Sequence, residues 1–213
     1  MKIGIIWDLD GTLLDTLQDL TDSTNYVMTQ MGYPTHSIQA VRQFVGNGAR
    51  RLLELAVPPG GDAQRAYALF QQYYPTHCRI KTAPYPGIPE ALASLRDHPL
   101  AIVSNKPDPA VKILCAQYFP GILACGEHPG CPRKPAPNMV WHAMTALGVD
   151  RCVYVGDSEV DVETAKNAGV PCLSVTWGFR DRKELEEAGG KHFCDCPESL
   201  NKILKEMIEI YGK

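Results

Sequence analysis

The segment Asp8-Leu9-Asp10-Gly11-Thr12 places two carboxylates two residues apart, directly after the apolar run Ile3 to Trp7. On extended backbone, residues i and i+2 point the same way, so both acids face one edge. Two such acids stay ionised together only with a cation between them; otherwise one carries a proton. That division suits one group that attacks and another that moves protons, and Gly11 lets the chain depart sharply behind them. A second acidic stretch, Gly156-Asp157-Ser158-Glu159-Val160-Asp161, follows Cys152 to Val155. Asp157 suits a hard cation, which prefers carboxylate oxygen. Asp161, one helical turn on, aims at the same pocket as an outer ligand or orienter. Ser104-Asn105-Lys106 offers a hydroxyl and backbone amides to phosphate oxygens. In Arg133-Lys134-Pro135-Ala136-Pro137 a lysine ahead of two prolines has restricted backbone freedom, which suits an ammonium held in place. Each stretch also has a plainer reading: a solvated turn, acids offsetting a helix dipole, a serine cap, a surface loop.

Four short apolar runs position these residues: Ile3 to Trp7, Leu100 to Val103, Cys152 to Val155 and Leu173 to Trp177. Each ends on a polar residue or glycine and precedes a helix-like stretch, the rhythm of βα units on a parallel sheet. Ligands of such sheets bind at the carboxyl ends of the strands, which gathers all the acids and the serine on one edge. The expected fold class is α/β, a Rossmann-like parallel sheet core with an inserted small α-helical cap domain. The insertion shows at residues 15–82, where Leu13, Leu17, Leu20, Val27 and Met31, then Leu52, Leu53, Leu55 and Ala56, then Ala66, Leu69, Phe70 and Tyr73, keep helical spacing without strands. The core is expected over 1–14 and 83–213, with the cap lying over the carboxyl edge. Leu200, Ile203, Leu204, Met207, Ile208 and Tyr211 predict a closing helix packed on the sheet.

The chain has 213 residues, 45% hydrophobic and 21% charged, which excludes a disordered or coiled-coil polypeptide. A net charge of −3 leaves no basic field for nucleic acid or an anionic membrane, so any phosphate must be caught locally. No run of 18 uncharged apolar residues and no signal-like start is present, so a cytoplasmic location is expected. Of eight cysteines, several lie in apolar runs as small buried hydrophobes. Cys125, His128 and Cys131, and His192, Cys194 and Cys196, lack the paired spacings of a zinc site, so free thiols are expected.

In this order, Asp8-Leu9-Asp10-Gly11-Thr12-Leu13, Ser104-Asn105, Lys134, and Gly156-Asp157-Ser158 with Asp161 resemble the four motifs of the haloacid dehalogenase superfamily of phosphohydrolases. The helical insert sits where that family places its cap. Val45-Gly46-Asn47-Gly48-Ala49 and Tyr85-Pro86-Gly87-Ile88 make the chain most similar to the phosphoglycolate phosphatases within it. The resemblance implies a nucleophile at Asp8, which forms an aspartyl-phosphate, and a general acid and base at Asp10. It implies Mg²⁺ on Asp8, Asp157 and the Asp10 carbonyl, with Asp161 behind them, and Lys134 as the second counter-charge. Ser104 and Asn105 are expected on the phosphate, with Thr12 supporting the loop and included in the same binding set. Arg50 in the cap is the candidate for a substrate carboxylate. The expected partner is a small phosphorylated metabolite, and the expected assembly a monomer or homodimer.

Gly46-Asn47-Gly48-Ala49-Arg50 lacks the lysine of a P-loop, and no glycine-rich dinucleotide turn follows the first run. Two alternatives stand: a phosphomutase similar to β-phosphoglucomutase, against which Thr12 argues, and a non-catalytic binding module on the same fold.

Overall fold

The computed structural model describes residues 3–212. The chain begins with β1 (Gly4–Trp7) and a two-residue strand, β2 (Leu14–Asp15). Four helices follow, α1 (Leu17–Gln30), α2 (Ile38–Phe44), α3 (Gly48–Ala56) and α4 (Ala63–His77), before a second two-residue strand, β3 (Ala83–Pro84). The remainder alternates: α5 (Ile88–Ser94), β4 (Leu100–Pro107), α6 (Asp108–Tyr118), β5 (Leu123–Glu127), α7 (Asn138–Leu147), β6 (Cys152–Gly156), α8 (Glu159–Ala168), β7 (Cys172–Val175), α9 (Arg182–Glu187), β8 (His192–Cys194) and α10 (Pro197–Tyr211).

Six strands form one sheet in the order β5-β4-β1-β6-β7-β8, with every neighbouring pair parallel. The chain builds outward from β1 to β4 and β5, then crosses back to add β6, β7 and β8 on the other side. The strand order therefore reverses at β1, and the crevice of an open α/β sheet lies at the carboxyl end of that switch point. Asp8 is the residue that follows β1. Alternation along β1 sends Ile5 and Trp7 into one apolar layer with Leu92, Val111, Leu200 and Leu204, and Ile6 into the other with Met139, Val140, Ala143 and Ala165. A parallel sheet covered on both faces needs apolar residues on both sides, which is why these strands read as continuous runs. The closing helix packs as predicted, burying Leu200, Leu204 and Met207.

Helices α1 to α4 hang between β2 and β3, which pair antiparallel through Leu14 with Pro84 and Asp15 with Ala83. In α3 the buried residues are Ala49, Leu52, Leu53 and Ala56, one helical face. Asp62 caps α4, its side chain accepting from Arg65 N–H at 2.9 Å. Asp19 of α1, also buried, accepts from the backbone N–H of Lys81 at 3.0 Å and of Thr82 at 2.9 Å, tying the exit of the insertion to its entry. One apolar cluster runs unbroken from Trp7 and Ile102 of the sheet to Leu20, Val27, Leu53 and Phe70 of the inserted helices.

Two of the sheet's strands are not evident from periodicity. The edge strands β5 and β8 contain Cys125, and His192 with Cys194, so the two Cys/His clusters are strand segments and their vicinity. All eight cysteines are free. β4 also runs past Val103 to Pro107, which puts Ser104, Asn105 and Lys106 on the strand itself. Among the described residues no helix is long and apolar enough to cross a membrane.

Candidate active site

Asp8 is fixed at the switch point by its own backbone, whose N–H donates to Val155 O at 2.8 Å. Lys134 reaches it from the loop before α7. Its Nζ donates to Asp8 Oδ1 at 2.5 Å, Asp161 Oδ1 at 2.8 Å and the Tyr154 hydroxyl at 3.0 Å. Asn105 anchors that lysine through its backbone, accepting from Lys134 N–H at 2.8 Å and donating to Lys134 O at 2.9 Å. The same amide donates to Gly46 O of the insertion at 3.2 Å.

Asp161 is the support of the cluster. Its Oδ2 accepts from the N–H of Asp157 at 3.2 Å, the N–H of Ser158 at 3.1 Å and the Ser158 hydroxyl at 2.6 Å. Its Oδ1 takes Lys134 and the Tyr154 hydroxyl, so both oxygens are spent on protein donors. Asp157 is held by Thr12 Oγ1 at 2.9 Å and by Phe179 N–H at 2.7 Å. Gly11, at φ +89°, lies so close that a Cβ there would stand 2.3 Å from Asp157 Oδ2, which makes glycine obligatory.

The donor chemistry fits a hard cation. Carboxylate oxygens of Asp8, Asp157 and Asp161, all buried, lie within 4.8 Å of one another. Among the described residues, the acids Asp8, Asp10, Asp157 and Asp161 pair with two ammonium groups, those of Lys106 and Lys134. Burial, then the neighbouring Asp161, pushes Asp157 up to about 7, and burial raises Asp8 well above the carboxylate range despite Lys134. Burial opposes the charge on Lys134, but Asp161 and Asp8 outweigh it and hold the ammonium above its ordinary range. Asp10 stands apart from the three clustered acids, its Oδ1 accepting from Lys106 Nζ at 2.8 Å.

The cavity above these groups measures about 50 Å³. Asp8, Asp10, Ser104, Asn105, Lys106, Lys134 and Asp157 line it from the core, and Leu20, Val45, Leu52, Phe70 and Tyr74 from the inserted segment. Ser104 Oγ accepts from Lys106 N–H at 3.2 Å, which leaves its hydroxyl hydrogen for a ligand.

Two expectations need correction. Arg50 lies outside the cavity: it is exposed, with its guanidinium 4.6 Å from the Tyr67 ring centroid, because the inward face of α3 belongs to Ala49, Leu52 and Leu53. The Thr12 hydroxyl is buried and directed at Asp157, so this side chain is not offered to phosphate. The Asn105 side chain, as distinct from the backbone amide expected on phosphate, is committed to backbone groups and positions Lys134. Residues that sequence reading did not single out are the Lys106 side chain, Tyr74, and the Gly178-Phe179-Arg180 segment. Only Lys106 had a signal, its place directly after Ser104-Asn105.

A family profile described as haloacid dehalogenase-like hydrolase matches residues 5–175. A phosphoglycolate phosphatase of Pseudomonas putida is 33% identical over 199 residues, 85% of this chain and 72% of that protein. An N-acetylmuramic acid 6-phosphate phosphatase of Pseudomonas aeruginosa is 32% identical over 187 residues, 83% of this chain and 82% of that one. Among solved structures, a provisionally assigned phosphoglycolate phosphatase of Lactobacillus delbrueckii subsp. bulgaricus superposes with a TM-score of 0.89 at 36% identity, covering 100% of both chains.

Proposed function

The chain belongs to the haloacid dehalogenase-like hydrolases and is a phosphoric monoester hydrolase; from the site its residues build, we propose that it hydrolyses a small, phosphoglycolate-like ester with Mg²⁺ through an aspartyl-phosphate on Asp8. The observation that carries this reading is the state of Asp8. One carboxylate oxygen is gripped by Lys134, and the other takes no hydrogen bond among the described residues. That second oxygen is the nucleophile. It forms the new bond to phosphorus as the ester oxygen departs, and Asp10 gives that oxygen its proton. Asp10 then takes a proton from the water that attacks phosphorus, which frees phosphate and restores the Asp8 carboxylate. The Ser104 hydroxyl holds a transferring oxygen, and Lys134 sets its positive charge beside Asp8. When bound, Mg²⁺ supplies charge that offsets the repulsion between carboxylate and phosphate dianion, with Asp8 and Asp157 holding it.

Relatives at 33% and 32% identity differ in substrate by name, so cavity size supports the choice. One water needs about 10–15 Å³ of such space, and a cavity of about 50 Å³ favours a compact ester over a sugar.

The test is phosphate release from a generic aryl phosphate and from phosphoglycolate with Mg²⁺, comparing wild type and Asp8→Asn. Loss of at least about a thousandfold in a variant that melts like wild type is expected. A folded variant with wild-type turnover removes Asp8 as the nucleophile. Transfer of phosphate within a hexose phosphate, rather than its release, favours the mutase, and a wild type inert on every ester favours the binding module.

A further inference from the structure

Three cationic side chains line the cavity: Lys106, Lys134 and Arg180. Lys134 is spent on Asp8, Asp161 and Tyr154. Arg180 is spent on Glu159 and on the carbonyls of Arg42 and Val45. Lys106 differs. Its Nζ donates to Asp10 at 2.8 Å and otherwise faces the Tyr74 ring, 4.7 Å from the centroid. Tyr74 is 2% exposed, yet its hydroxyl has no hydrogen-bond partner among the described residues. Buried polar groups are nearly always paired, and Tyr74 lines the cavity, so its hydroxyl hydrogen is available to a ligand there.

The position of these two donors decides what that ligand is. Both lie beside Asp10, the acid that protonates the departing oxygen, and not beside Asp8, where phosphorus is attacked. Leu20, Leu52 and Phe70 wall the cavity in apolar surface. In such a surrounding an ammonium and a phenol favour an anionic acceptor over a neutral one. We propose that Lys106 and Tyr74 form the leaving-group subsite, and that it recognises a carboxylate next to the ester oxygen. The inference rests on the phosphoglycolate-like hydrolase reading of the same site and adds the two side chains that recognise the leaving group. Lys106 comes from β4 and Tyr74 from α4, so the subsite exists only where the insertion closes on the sheet.

The test compares kcat/KM for phosphoglycolate and for 2-hydroxyethyl phosphate, which has the same carbon frame without the carboxylate, in wild type, Lys106→Met, Lys106→Arg and Tyr74→Phe. An aryl phosphate serves as the general substrate. Wild type is expected to prefer phosphoglycolate, and Lys106→Met to erode that preference by about ten- to a hundredfold, the range for a charged hydrogen bond. Lys106→Arg keeps part of it, and Tyr74→Phe erodes it by about three- to tenfold. Tyr74→Phe is also expected to weaken competitive inhibition by glycolate, a readout that stands if Lys106→Met fails to fold. Equal losses on both esters mean that Lys106 serves only to hold Asp10 and overturn the inference, as does a wild type without preference. Failure on all three esters sinks the hydrolase reading instead.

Discussion

A Cβ at Gly178 would lie 2.4 Å from the Cβ and Oδ2 of Asp157 and from the Gly11 carbonyl, well inside contact distance. Gly178→Ala therefore moves Asp157 or the loop, and the expected result is an activity loss of at least about tenfold with about 1–3 kcal/mol lost in denaturant unfolding. A variant with both values unchanged shows that the loop gives way freely. The raised carboxyl groups make a second prediction. With metal removed, folded Asp157 holds its proton up to about pH 7, whereas the unfolded group releases it near about pH 4. Between those values the folded chain binds more protons, so stability falls as pH rises. Thermal melts in chelator should decline across this window, and added Mg²⁺ should stabilise most at its upper end, where the ligands are ionised. Melts flat or rising with pH contradict that. Asp8, Asp10, Asp157 and Lys134 were legible because acids after β-branched runs, and a lysine before proline, are local patterns. Gly178 and the Lys106 side chain were not, because their partners Asp157 and Asp10 are distant in sequence.

Arginines from both sides clasp the inserted helices to the sheet. Arg42 of α2 donates to Phe179 O at 2.7 Å and Gly178 O at 3.0 Å, while Arg180 donates to Val45 O at 2.9 Å. The peptide segment that Arg42 holds also supplies the N–H on Asp157. Closure of the insertion and placement of Asp157 thus share one segment. Arg42→Met should lower kcat by about three- to tenfold and raise the Mg²⁺ concentration needed for half-activation, in proportion to the charge-assisted bonds lost. If only melting temperature changes, the clasp is structural and not linked to Asp157. Nothing local announces this pairing, since an arginine on an amphipathic helix reads as a solvated one. The edge strands escaped for a related reason: Leu123 to Glu127 and His192 to Cys194 lack the β-branched runs of the central strands.

The apolar cluster continuous from sheet to insertion gives the molecule one cooperative unit. All three tryptophans, Trp7, Trp141 and Trp177, lie outside the inserted helices. Tryptophan fluorescence and far-ultraviolet dichroism should therefore unfold with one midpoint in denaturant, and separate midpoints would show the insertion melting alone. Alternating units were readable in the sequence, but the order β5-β4-β1-β6-β7-β8 was not, because strand neighbours are chosen by packing between distant segments. The paired strands β2 and β3 have a consequence for descent and engineering. The chain leaves the sheet and returns to it through two hydrogen-bonded neighbours, so the gap across which any inserted segment must span is fixed before that segment folds. Closing a loop costs little more as it lengthens. The two ends of the insertion thus form a fixed doorway at Asp15 and Ala83: a lid of other length fits there without re-registering a strand, provided that it restores the apolar surface and the grip on the Gly178-Phe179 segment that the present helices supply.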